Sequence, residues 1–82
     1  MIVEFSVAPI GKGESLSEDV SQVLNLVDES GLDYKFTPMS TIVEGEWDEI
    51  MSLVKNCHDE IANDSPRVIT EIKIDDHKGR KN

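Results

Sequence analysis

The sequence is short of the residues that fix a fold or a function by covalent or aromatic chemistry. A single cysteine, Cys57, excludes an internal disulfide. It lies inside a periodic apolar pattern, which makes it a small core residue rather than a reactive thiol. His58 and His77 are far apart and neither has a Cys or His at ligand spacing, so zinc chemistry has no foothold. Two Phe, one Tyr and one Trp are too few for a base-stacking surface, and Lys and Arg number 8 against 17 acids. A net charge of −9, with Lys78, Arg80 and Lys81 all in the final stretch, leaves the folded body more acidic still. Nucleic-acid backbones and anionic membrane surfaces are thereby disfavoured as partners. No run approaches the ~20 apolar residues of a spanning helix, and Met1 leads straight into a strand pattern without a basic leader, so the expected location is the cytoplasm.

What is present fits one small domain. A chain of 82 residues holds one hydrophobic core and buries only about 60% of its unfolded surface, so oligomerisation would help to stabilise it. Val3, Phe5 and Val7 alternate with Glu4 and Ser6, the period-two signature of a half-buried strand over 2–8, which Pro9 is expected to end. The loop from Ile10 to Glu14 has two glycines but lacks the GKS or GKT of a phosphate cradle. Ser15 and Glu18 form a capping box for a helix whose stripe is Leu16, Val20, Val23, Leu24 and Val27, with Glu18, Asp19 and Gln22 on the outer face. Gly31 and Leu32 supply its C-terminal cap.

A second strand over 34–37 places Tyr34 and Phe36 on one side and Lys35 and Thr37 on the other. After the turn Pro38-Met39-Ser40, a third strand runs from Thr41 to Glu44, necessarily antiparallel to the second because the link is too short for a crossover. Gly45 breaks it. A second helix over 47–62 carries the stripe Trp47, Ile50, Met51, Leu53, Val54, Cys57 and Ile61, and Glu46, Asp48 and Glu49 favour its positive end. The fourth strand, 67–75, alternates Val68, Thr70, Ile72 and Ile74 with Ile69, Glu71 and Lys73. A polar tail, 76–82, follows.

The order β-α-β-β-α-β predicts an α+β, ferredoxin-like domain over 1–75, with two helices on one face of a four-stranded antiparallel sheet. The opposite face, carrying Glu4, Ser6, Lys35, Thr37, Glu71 and Lys73 with Ile2 and Ile69, has no element left to cover it. Catalysis finds no nucleophile–base pair at motif spacing, and the first loop offers Lys12 where a phosphate-binding enzyme on this fold wants arginine. The chain reads as a binding protein, not an enzyme.

Three segments, EFSVAPIGKG, YKFTPMSTIVEGEWDEIM and ITEIKIDDHKG, resemble the small thiamine-binding protein family, most specifically in the run from Ser40 to Glu46 and in the I-D-D ending. The resemblance implies a ferredoxin-like fold, binding of thiamine or its hydroxymethylpyrimidine portion, no catalysis and no cofactor, and assembly into homodimers or homotetramers through sheet edges and faces. Members of that family usually continue into a third helix after the fourth strand, where this sequence reaches Asn82, so the expectation is either a truncated product or a member that lacks the helix. An aminopyrimidine presents a flat face and an edge of donors and acceptors, which a carboxylate, hydroxyls and an apolar wall would match. Glu44 is the candidate carboxylate, Ser40, Thr41 and Ser6 the hydroxyls, and Phe36 and Met39 the wall. Each also has a structural reading, Thr41 as a strand former and Met39 as filler. The competing function is a self-association domain that uses its open sheet and has no small-molecule site.

Overall fold

The computed structural model describes residues 1–11 and 16–79, with the side chains of Leu16 and Ser17 left aside. The elements are β1 (Ile2–Ile10), α1 (Leu16–Glu29), β2 (Asp33–Phe36), β3 (Thr41–Glu44), α2 (Trp47–Ala62) and β4 (Arg67–Asp75). They form one antiparallel sheet in the order β2-β3-β1-β4, the ferredoxin-like arrangement expected from the element order. The Lys12 loop, the Ser15–Glu18 capping box, the packing of Leu16 and the last residues, 80–82, lie outside the described part.

β1 does not stop at Pro9. It continues to Ile10, with Pro9 opposite Val68 and Ile10 opposite Arg67. Met1 and Gly45 exchange both backbone N–H···O bonds, at 2.9 and 3.1 Å, so odd-numbered residues of β1 bond toward β3. β3 reaches only as far as Thr41, opposite Phe5, so the N–H that Pro9 lacks has no ladder partner to lose.

Alternation sorts the sheet into two faces. Rows across it are read from the register: Tyr34, Val43, Val3 and Ile74 face the helices, as do Phe36, Thr41, Phe5 and Ile72. Lys35, Ile42, Glu4 and Lys73 form a row on the other face, and Asp33, Glu44, Ile2 and Asp75 another. On the helix side Val3, Phe5, Val27, Val43, Ile50, Leu53, Val54 and Cys57 are the core. Tyr34 and Phe36 make a tilted ring pair at 5.0 Å on the edge strand, and Tyr34 Oη donates to Asp28 Oδ1 at 3.0 Å, tying β2 to α1. That bond and the Asp28 charge hold the phenol above its ordinary pKa.

Four expected core positions are corrected. Val20 is 50% exposed, while Asp19 beside it is 3% exposed. The buried face of α1 runs through 19, 23, 26 and 27, so the stripe turns by about one residue, with Leu26 in it and Val20 at its margin. Asp19 sits in the first turn, where the positive helix end favours a carboxylate. Trp47, the first residue of α2, is 54% exposed because it lies a turn before Ile50, beyond the sheet. Ile72 and Ile74 face the helix side yet remain 45% and 41% exposed on the outer strand.

Glycine turns the chain at one corner and allows close approach at another. Gly31, at φ +77°, turns the chain out of α1 as its cap. At Gly45 a Cβ would lie 3.0 Å from Leu32 Cδ2, so a larger residue would have to push that methyl aside. α2 starts immediately afterwards, with the Glu46 backbone N–H donating to Glu49 Oε1 at 3.2 Å.

Cys57 is fully buried on α2, and burial pushes its thiol up to about 11. It should label slowly with a thiol reagent at pH 8 in the native protein and at once in urea, a contrast that a kinetic absorbance assay reads directly. Because the folded value lies above the ordinary thiol value of 9.0, the thiol's contribution to stability is complete below about 9 and is lost as pH rises toward about 11.

Candidate ligand-binding site

The tip of the β2–β3 hairpin is closed by a bond from the Thr37 backbone N–H to the Ser40 carbonyl, at 2.9 Å, and braced by its own hydroxyls. Thr37 Oγ1 accepts from the backbone N–H of Met39 and Ser40, at 3.2 and 2.9 Å, and donates to the Ser40 carbonyl at 3.0 Å. Pro38 fixes one backbone angle between them, so the turn is set by two local devices, a rigid ring and a side chain that substitutes for ladder bonds. Ser40 Oγ in turn donates to Glu4 Oε2 at 2.8 Å on the adjoining strand. With its proton committed there, Ser40 offers a ligand lone pairs rather than a donor.

Beneath this hairpin on the helix side lies a cavity of about 250 Å³. Phe5, Ser6, Val7 and Pro9 of β1 form its floor, Phe36, Thr37, Pro38, Ser40 and Thr41 one wall, and Asp19, Val20, Val23 and Leu24 of α1 the other. Ile61 closes the end. Around it, α1 packs on α2 and is tied to β2 by the Tyr34–Asp28 bond, while α2 rests on β1 and β4.

Of the residues singled out from sequence, Phe36, Ser40, Thr41 and Ser6 line this cavity together. Thr41, 7% exposed, points to the helix face with Phe5 and Phe36. Met39 does not line the cavity: 86% exposed at the hairpin tip, it borders a second pocket, of about 270 Å³, with Glu4, Ser6, Ser40, Glu71 and Lys73, so Ser6 and Ser40 lie between the two. Glu44 is also elsewhere. It ends β3 opposite Ile2 and Asp33, and three residues from Thr41 along an extended strand is about 10 Å. The carboxylates near the hairpin are instead Glu4, through Ser40, and Asp19, in the cavity wall.

Sequence reasoning passed over Asp19 because its neighbour Val20 is the better core residue in a helical count. The signal available was its first-turn position, where a carboxylate tolerates burial. Among the described residues no group of His, Cys, Asp and Glu is arranged to hold a metal ion, and no helix is long and apolar enough to cross a membrane.

The thiamine-binding protein family model matches residues 3–82. The MJ1052 protein of Methanocaldococcus jannaschii is 34% identical over the whole chain, which spans 82% of that protein, and a Mycobacterium bovis relative, Mb1933, is 38% identical over 92% of this chain and 74% of its own length. The crystal structure of MJ1052 superimposes with a TM-score of 0.90 over 99% of this chain and 84% of that one. A Thermotoga maritima protein with a proposed role in thiamine biosynthesis or salvage, TM0486, is 27% identical with a TM-score of 0.85, over 99% of this chain and 87% of its own. With nearly the whole chain matched by the family model and the fold shared with these relatives, the chain belongs to the thiamine-binding protein family.

Proposed function

We propose that this protein binds thiamine or a related hydroxymethylpyrimidine in the cavity between α1, β1 and the β2–β3 hairpin, and holds it without turning it over, as a carrier, buffer or sensor. The observation that carries this reading is a buried carboxylate, Asp19, in the wall of a cavity lined also by Phe5 and Phe36 and by Thr41, whose side chain shares their face of the sheet. An aminopyrimidine needs that combination: an acceptor for its exocyclic amine, a hydroxyl along the ring edge, and apolar surface for its faces. Family membership and the role proposed for the Thermotoga relative point to the same ligand class.

Size refines the choice. At about 250 Å³ the cavity is just under the ~300–1,000 Å³ usual for ligand pockets, so it suits one substituted ring better than two. Thiamine would then place its pyrimidine inside and leave the thiazolium toward solvent, where the chain's net charge of −9 favours a cation. Isothermal titration calorimetry with thiamine and with hydroxymethylpyrimidine tests this. Both should bind with affinities within about tenfold of each other, since the shared ring makes the buried contacts. Absence of heat from either at millimolar ligand, with the protein folded by circular dichroism, overturns the proposal.

A further inference from the structure

Part of the cavity wall is bare backbone. Odd-numbered residues of β1 turn their N–H and C=O groups toward β3, and the ladder runs from Met1 and Gly45 through Val3 and Val43 to Phe5 and Thr41. The same register would set Val7 opposite Met39. Met39 is withdrawn from it: its N–H donates to Thr37 Oγ1 at 3.2 Å, it is 86% exposed, and the Thr37–Ser40 bond closes the hairpin before the pair can form. Even-numbered residues meanwhile bond β1 to β4 as far as Ile10, so β1 stays extended while its other edge is left open. Among the described residues nothing bonds to the Val7 N–H or C=O. The cavity lies across this gap, with Val7 and Pro9 on one side and Thr37 and Pro38 on the other.

We propose that Val7 is the recognition edge for the pyrimidine: its N–H donates to a ring nitrogen, and its C=O accepts from the exocyclic amine beside that nitrogen. This rests on the ligand reading above and names the protein atoms that read the ring. The N–H and C=O of one extended residue are an adjacent donor and acceptor, and an antiparallel neighbour meets both at once. An aminopyrimidine edge presents the complementary order, a ring lone pair next to an amine hydrogen. The ring thus takes the place of the strand residue that β3 does not supply. The second hydrogen of the amine remains for Asp19, the buried carboxylate of the cavity.

The gap suits a ring better than a peptide. Pro9, the next residue on the same edge, has no N–H, so the open edge offers one donor only and is a poor template for another strand. A backbone reader also has a fixed order of donor and acceptor. With an oxo group in place of the amine, a ring N–H would meet the Val7 N–H and a carbonyl would meet a carbonyl, and a site built to hydrogen-bond one pattern rejects the other strongly. Position 19 cannot make this distinction once it is Asn, because a carboxamide turns to offer either a donor or an acceptor.

Amide-resolved hydrogen exchange by NMR on the full chain tests the assignment. In the free protein the Val7 amide should exchange ~10-fold or more faster than those of Phe5 and Ser6, which are bonded to β3 and β4. Saturating hydroxymethylpyrimidine should slow it ~10-fold or more, and ligand labelled at its nitrogens should show a scalar coupling across the hydrogen bond to the Val7 nitrogen. By calorimetry the oxo analogue should bind ~100-fold or more weaker than hydroxymethylpyrimidine to the unaltered protein, and still ~10-fold or more weaker to Asp19→Asn. Hydroxymethylpyrimidine that binds yet leaves Val7 exchange unchanged, shows no coupling, or loses its advantage over the oxo analogue in Asp19→Asn overturns the assignment to Val7 and leaves the ligand reading standing. A Val7 amide as protected as that of Phe5 in the free protein also overturns the assignment alone. Binding of neither compound overturns the ligand reading and the assignment with it.

Discussion

Phe5→Ala should remove about 3–5 kcal/mol of stability, the usual cost of deleting a buried aromatic side chain, and leave the protein close to unfolded at room temperature. Phe5 is 2% exposed on one of the two inner strands, opposite Thr41 on one side and Ile72 on the other, with α2 packed across it. A chain of 82 residues has only about 4–12 kcal/mol in total, at ~0.05–0.15 kcal/mol per residue, so one such loss takes a large share of it. Urea titration without ligand is the measurement. Ile69→Ala is the control, since Ile69 is 41% exposed on the open face and its truncation should cost about 1 kcal/mol or less. Equal midpoints for the two variants would mean that the core is not where the sheet register puts it.

For Asp19→Asn the expected result is a ~10–100-fold loss of affinity for hydroxymethylpyrimidine with the fold intact. The substitution keeps shape and removes charge, and a hydrogen bond to a charged group is worth about 1.5–3 kcal/mol. The helix end loses a favourable carboxylate, which should lower stability by only about 0.3–1 kcal/mol. Glu44→Gln is the matched comparison, because Glu44 lies at the far end of β3 and outside the cavity. It should leave affinity within about twofold, below the ~1.4 kcal/mol that a tenfold change represents. Calorimetry that showed Glu44→Gln harming binding and Asp19→Asn sparing it would move the site to the other face of the sheet.

These two carboxylates show why the site was less legible than the fold. Glu44 is conspicuous in sequence because it follows an apolar strand and precedes a glycine at a strand-to-helix corner. Proximity along the chain placed it with Ser40 and Thr41, yet an extended strand carries it about 10 Å away. Asp19 and Glu4 are distant from the hairpin in sequence, and they reach it only because β1 lies against β3 and the start of α1 lines the same cavity. Spacing along one segment says nothing about such encounters.

Some properties did follow from local chemistry alone. Period-two alternation in 2–8 and 67–75, period-three-to-four recurrence in 47–62, and a link too short for a crossover determine the βαββαβ order, and with it the antiparallel sheet. Gly31 ends α1 and the acids at 46, 48 and 49 start α2 for reasons that need no partner element. Tertiary structure decided the remainder. The turn of α1 that buries Asp19 and exposes Val20, the passage of β1 through Pro9, and the bare flank of β4 each depend on which neighbour is present across the sheet. Local periodicity fixes what an element is, whereas burial is a property of pairs of elements, and the candidate ligand cavity and strand edge are both places where a neighbour is missing.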